Sequence, residues 1–102
     1  MSIQENISIP FDAINDFCKR NHIRKLSLFG SVLGSDFTHG SDIGVLVEFE
    51  PNVIIGWKIV AMRQELIDIL GHEVDFLTPK SLSLTFRDEV LAQAQVIYEQ
   101  AR

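Results

Sequence analysis

The residues best suited to chemistry in this sequence are a glycine–serine pair and two aspartates. Gly30-Ser31 follows the short apolar run Leu26-Ser27-Leu28-Phe29, and after nine intervening residues Ser41-Asp42 heads the run Ile43 to Phe49. Asp75 lies inside a third apolar run, Glu73 to Leu77, which Pro79 stops. A Gly-Ser that closes a strand lets the backbone approach a ligand closely, and Ser31 supplies an N–H and a hydroxyl. If a helical turn follows, those donors face an anion, as they do at phosphate sites on helix N-termini. If the strands of Asp42 and Asp75 are neighbours, the two carboxylates share one edge. Two hard carboxylates beside a phosphate cradle are what Mg²⁺ bridging nucleotide phosphates requires. Each residue alone has a plainer reading: Ser31 as a cap, Asp42 as a strand-entry residue, Asp75 as a solvent-face residue between Val74 and Phe76. Only their combination at this spacing points to a site.

The elements that must position them alternate helix and strand. Pro10 opens a helical segment with Phe11, Ile14, Phe17 and Cys18 on one face, and Asp12 near its start suits the helix dipole. Leu26 to Phe29 is β-competent, and residues 32–41 are rich in turn and cap formers. The nearly continuous apolar run of Ile43 to Phe49 predicts a central strand buried on both faces. Gly56 to Leu70 reads as a helix with Ile59, Met62, Leu66, Ile67 and Leu70 on one face and Gly71 placed to end it. The last segment sets Phe86, Val90, Leu91, Ala94, Ile97 and Tyr98 at helical spacing. The expectation is an α/β (α+β) domain spanning residues 1–102, a three-stranded mixed sheet packed with about four helices.

Composition narrows the function classes. The chain has 102 residues, nine Lys+Arg against 14 Asp+Glu, and a formal net charge of −5. That balance argues against gripping nucleic acid by charge, so no direct nucleic-acid binding is expected. With 46% apolar residues the chain is globular in composition, yet no apolar run reaches the roughly 18 residues of a membrane span. Met1 to Phe17 carries Glu5, Asp12 and Asp16 without Lys or Arg, unlike a signal peptide. The lone Cys18 excludes an intramolecular disulfide and fits a reducing, cytoplasmic setting. The stretch from Gly30 to Ser35 has no Lys after its second glycine, so it is not a P-loop, and no G-x-G-x-x-G occurs. His22, His39 and His72 show no zinc spacing.

The segment Leu28-Phe29-Gly30-Ser31, the later Ser41-Asp42-Ile43 and Val47-Glu48-Phe49, and the stretch Val74 to Pro79 together resemble the minimal nucleotidyltransferase domains of the DNA polymerase beta-like superfamily. The resemblance runs from about Ile23 to Tyr98. It implies a mixed-sheet nucleotidyltransferase fold, ATP as nucleotide substrate, Mg²⁺, and adenylyl transfer. Carried onto this chain, it implies phosphate binding at Gly30 and Ser31 and a catalytic, metal-holding role for Asp42 and Asp75. Many such domains are antitoxins paired with a small helical HEPN-type toxin, so a partner of that kind is expected, with homo-oligomerisation a further expectation.

The sequence departs from the family pattern at two positions. The motif expects Asp-x-Asp at 42 and 44, and this chain has Asp42-Ile43-Gly44. Residues two apart on a strand point to one face, so a second aspartate would aim at the same metals. A two-metal site needs shared carboxylates to hold cations about 3.5–4 Å apart. Gly44 supplies no ligand. Glu48 has the right parity but lies too far along the strand; Asp36 and His39 stand in the loop and are the candidates to compensate. Gly34 stands where relatives commonly carry a basic residue. The sequence therefore predicts ATP–Mg²⁺ binding with impaired transfer. The alternative is a catalytically inactive module that neutralises a partner by direct contact, to which Trp57 and Tyr98 at element ends would contribute if exposed.

Overall fold

A computed structural model describes residues 6–38 and 40–101. The elements run α1 (Phe11–Arg20), β1 (Ile23–Phe29), a 3₁₀ turn (Gly30–Leu33), β2 (Ile43–Phe49), α2 (Lys58–Leu70), β3 (Val74–Leu77), a second 3₁₀ turn (Pro79–Ser81), α3 (Leu84–Gln93) and β4 (Gln95–Glu99). The four strands form one mixed sheet in the order β3-β2-β1-β4. β1 pairs antiparallel with both β2 and β4, and β2 pairs parallel with β3 through the α2 crossover.

Strand alternation explains the core. Ile23, Leu26, Leu28, Ile43, Val45, Val47 and Val74 are buried in the core, where Ile14, Phe17 and Cys18 of α1 and Met62, Leu66 and Leu70 of α2 join them. In β2 the opposite face is also covered at its centre, since Gly44 and Leu46 are buried as well, as the continuous apolar run predicts for an interior strand. Acid in the first turn of α1 and Lys19 and Arg20 in its last complement the helix dipole. Gly71 ends α2 with φ 75°, the left-handed conformation a C-terminal glycine takes without a steric penalty.

Among the described residues two details differ from the sequence expectation, a fourth strand and three helices where about four were expected. The helical spacing of the last segment breaks at Ala94, whose N–H caps the helix on the Val90 carbonyl. Gln95–Glu99 then turns into β4, with Leu26 opposite Tyr98 and Ser27 opposite Val96. The run Val96-Ile97-Tyr98 is β-branched and aromatic, which suits a strand. Its pairing also satisfies backbone groups on the outer edge of β1, a strand whose interior is buried. Among the described residues, no helix is long and apolar enough to cross a membrane.

Candidate active site

The site grows from the two ends of the β1–β2 connection. β1 stops at Gly30, whose φ of 87° is open to glycine and strained for other residues. The chain then makes a single 3₁₀ turn, closed by the Gly34 N–H donating to the Ser31 carbonyl at 3.0 Å. Asn6 pins this turn from outside, its Nδ2 donating to the Val32 carbonyl at 2.6 Å and the Gly34 carbonyl at 2.9 Å. Ser31 is half-buried beside the exposed Gly30.

The other end of the loop is tied just ahead of β2. The Thr38 N–H donates to Ser41 Oγ at 3.0 Å, the Ser41 N–H donates to the Thr38 carbonyl at 3.0 Å, and the two hydroxyls lie 3.1 Å apart. This clamp fixes the residue immediately before Asp42. The Ile43 N–H donates to the Glu73 carbonyl at 2.8 Å, so pairing with the β3 segment begins at once. From there Ile43 faces Val74 and Gly44 faces Asp75. Asp42 and Asp75 are therefore diagonal neighbours on the same face of adjacent strands, roughly 8 Å apart at Cα from strand spacing and rise. Both are exposed. The start of β3 is steadied by Arg63, whose Nε donates to the Val74 carbonyl at 3.2 Å.

The site face continues across Gly44 to Phe29, its partner on β1. A Cβ built on Gly44 would lie 2.7 Å from Phe29 Cε2, 2.7 Å from the Phe29 carbonyl oxygen and 2.8 Å from Phe29 Cδ2. Glycine in a strand interior commonly marks such a close approach of another backbone. Phe29 is the neighbour of position 44 that sequence reasoning did not foresee. Its signal is the non-local β1–β2 register, which sets Phe29 against position 44. The Thr38–Ser41 clamp was also missed, although hydroxyl residues three apart in a loop are its local signature.

Several expectations separate here. The β2–β3 pairing brings Asp42 and Asp75 together, and Gly30-Ser31 closes the neighbouring strand β1. Asp36 is drawn to its own loop, with Oδ1 3.1 Å from where a Cβ on Gly34 would stand, and His39 lies outside the described residues. Among the described residues, no group of three or more His, Cys, Asp or Glu side chains is arranged to hold a metal ion. The residues present thus fit one Mg²⁺ completed by nucleotide phosphates, because Mg²⁺ commonly takes one or two carboxylates plus substrate oxygens. They do not fit a pair of metals. Cys18 is no nucleophile: it is fully buried, and burial pushes its thiol up to about 12.

Comparison with known proteins places the fold in a family. The family model described as "Polymerase beta, Nucleotidyltransferase" matches residues 12–102, and the chain belongs to that family. A Methanocaldococcus jannaschii protein described as a candidate protein adenylyltransferase, MJ0435, is 33% identical over 75 residues, covering 74% of this chain and 80% of that protein. Protein adenylyltransferase MntA of Thermococcus cleftensis is 27% identical over 100 residues, covering 96% of each chain. Among solved structures, a candidate minimal nucleotidyltransferase superposes with a TM-score of 0.71 at 25% identity, covering 93% of this chain and 95% of that one. A toxin–antitoxin structure with AMP-PNP also gives 0.71, at 20% identity, covering 90% of this chain and 75% of that one. A tri-AMPylated Shewanella oneidensis HEPN toxin in complex with its MNT antitoxin gives 0.63, at 21% identity, covering 96% of this chain and 73% of that one.

Proposed function

We propose that this chain is the antitoxin-type member of a HEPN/MNT pair, a minimal nucleotidyltransferase-like protein that binds ATP–Mg²⁺ and transfers adenylate poorly. The observation that carries the binding half is the β2–β3 register, which gathers Asp42 and Asp75 on one face next to the β1 terminus. In this reading the Ser31 N–H and hydroxyl, with the close-approaching backbone at Gly30, hold the triphosphate. Asp42 and Asp75 would hold the cation, and the acceptor hydroxyl would attack the α-phosphate, giving up its proton as pyrophosphate leaves. When bound, Mg²⁺ supplies charge neutralisation on the phosphates. The relatives named as adenylyltransferases and the AMP-PNP complex support adenine nucleotide as the substrate class. The AMPylated HEPN toxin bound to its MNT antitoxin supports a HEPN-type partner.

Impaired transfer follows from Gly44, because a loose carboxylate set stabilises the developing phosphoryl charge less than a closed one. One observation favours the second reading, neutralisation by contact without catalysis. Trp57 and Ile54 are 91% and 89% exposed, and Trp57 lines a groove of about 760 Å³ with Val60, Arg63 and Phe76 on the far face of β3 from Asp75. Exposed aromatic and aliphatic side chains of this kind suit an interface. The charge of −5 supports a protein partner over nucleic acid, and the reduced Cys18 supports a cytoplasmic setting.

The test is co-expression with a candidate HEPN-type partner, a short helical protein, followed by incubation with α-labelled ATP and Mg²⁺. The expected result is a stable complex whose partner gains label slowly or not at all. Rapid stoichiometric labelling would overturn the impaired reading, and failure to form a complex would overturn the antitoxin reading.

A further inference from the structure

We infer that Phe37 and His72 are positioning residues, whose ring contact ties the loop ahead of Asp42 to the turn ahead of Asp75 and so sets the spacing of the two carboxylates. That role rests on the nucleotide–cation reading above, to which it adds what holds the site in register. The two rings lie 5.2 Å apart between centroids at an interplanar angle of 55°. A tilted pair at a spacing between roughly 4.5 and 7 Å is an attractive arrangement. Both side chains are half-buried, and Phe37 also packs against the core. The contact closes a circuit of ties around Asp42. Phe37 precedes Thr38, and Thr38 is bound to Ser41 through its N–H, carbonyl and hydroxyl. Asp42 follows Ser41, and the next residue, Ile43, donates its N–H to the Glu73 carbonyl at 2.8 Å. Glu73 follows His72, whose ring returns to Phe37. Asp75 stands two residues beyond Glu73, on the same stretch of chain.

The circuit matters because Asp42 lies just ahead of β2, so the sheet ladder holds it from one side only. The loop holds it from the other side, and the ring contact keeps that loop against the α2–β3 turn. Mg²⁺ takes oxygens at about 2.0–2.1 Å in near-ideal octahedral geometry, so a small drift of either carboxylate costs affinity. Gly44 offers no carboxylate beside them to make up for such a drift. Arg63 anchors β3 through the Val74 carbonyl at 3.2 Å, whereas the ring pair spans both segments. Phe37 has a plainer role as an apolar anchor for its loop, and the choice of variants separates the two.

The test is calorimetry of ATP binding across a series of Mg²⁺ concentrations, on the full chain carrying Phe37→Leu, His72→Ala, both changes, or Phe37→Tyr. Phe37→Leu keeps an apolar side chain against the core and removes the ring, so a mere anchor survives it. Each single loss of a ring is expected to raise the Mg²⁺ concentration for half-maximal binding roughly 2–10-fold, the range one aromatic pair supplies. The double variant is expected to lose no more than the worse single variant, and Phe37→Tyr to keep the wild-type value. Wild-type Mg²⁺ dependence in His72→Ala, or losses that multiply in the double variant, would contradict the proposal. If Phe37→Leu does not fold, His72→Ala decides by itself. Amide exchange at Ile43 in the ligand-free chain reads the circuit without nucleotide. It is expected to quicken roughly 2–10-fold in His72→Ala, and an unchanged rate there overturns the ring contact as a positioning device. A wild-type chain without Mg²⁺-dependent ATP binding refutes the nucleotide reading, and the exchange rates then decide on the ring contact alone.

Discussion

The two faces of the sheet use the same strands for opposite purposes. On one face Leu28 and Val45 meet as cross-strand neighbours, fully buried under α1 and α2. One residue further along β1 and one back along β2, Phe29 and Gly44 meet on the other face, with exposed Asp75 completing the row across β3. The core face tolerates no lost volume because its side chains already fill it. On the site face Asp42 and Asp75 stand in solvent, whereas a Cβ at Gly44 would meet the Phe29 ring and carbonyl and require a local shift. Substitutions of the exposed carboxylates are therefore expected to leave stability largely unchanged, and substitutions on the core face to lower it.

Substitutions on each face can break this contrast. Leu28→Ala removes a fully buried side chain from the core face and should cost about 2–5 kcal/mol in denaturant unfolding. A loss under about 0.5 kcal/mol would mean that this face is not the core. Cys18 gives the next effect through pH. Its folded thiol is raised to about 12 by burial, so the unfolded chain ionises first. Stability is therefore fully present below the unfolded value near 9 and falls as pH rises toward 12, by at most about 1.4 kcal/mol per unit. Unfolding at pH 7, 9, 10 and 11 checks the slope, and Cys18→Ala should flatten it. The smallest effect on stability belongs to Asp75→Asn, which should stay within about 0.5 kcal/mol of wild type because the side chain is exposed. A large loss there would show that the site face is structural after all.

The sequence made some of this legible for physical reasons. Ile43 to Phe49 reads as a central strand because an apolar run without alternation has no solvent face to offer, and β2 has those bounds. Asp42 and Asp75 were legible as a pair only on the condition that their strands are neighbours, and the parallel register of β2 with β3 supplies that condition. β4 was not legible: Val90, Leu91, Ala94, Ile97 and Tyr98 satisfy helical spacing, and only the open edge of β1 decides that the chain extends after Ala94. Trp57 at a helix start admits a buried or an exposed reading until α2 turns it outward. The Phe29–Gly44 contact was hidden for a similar reason. Position 44 reads locally as a missing ligand, and only the register of β1 against β2 shows that Phe29 lies directly across from it.

The central claim is that Asp42 and Asp75 form a working nucleotide–cation site in spite of Gly44. Titration calorimetry of ATP into the wild-type chain, with and without Mg²⁺, tests it most directly when repeated on Asp42→Asn/Asp75→Asn. The expected result is saturable binding that requires Mg²⁺ and disappears in the double variant while its Tm is retained. Absence of binding in the wild type, or undiminished Mg²⁺-dependent binding in the double variant, would contradict it.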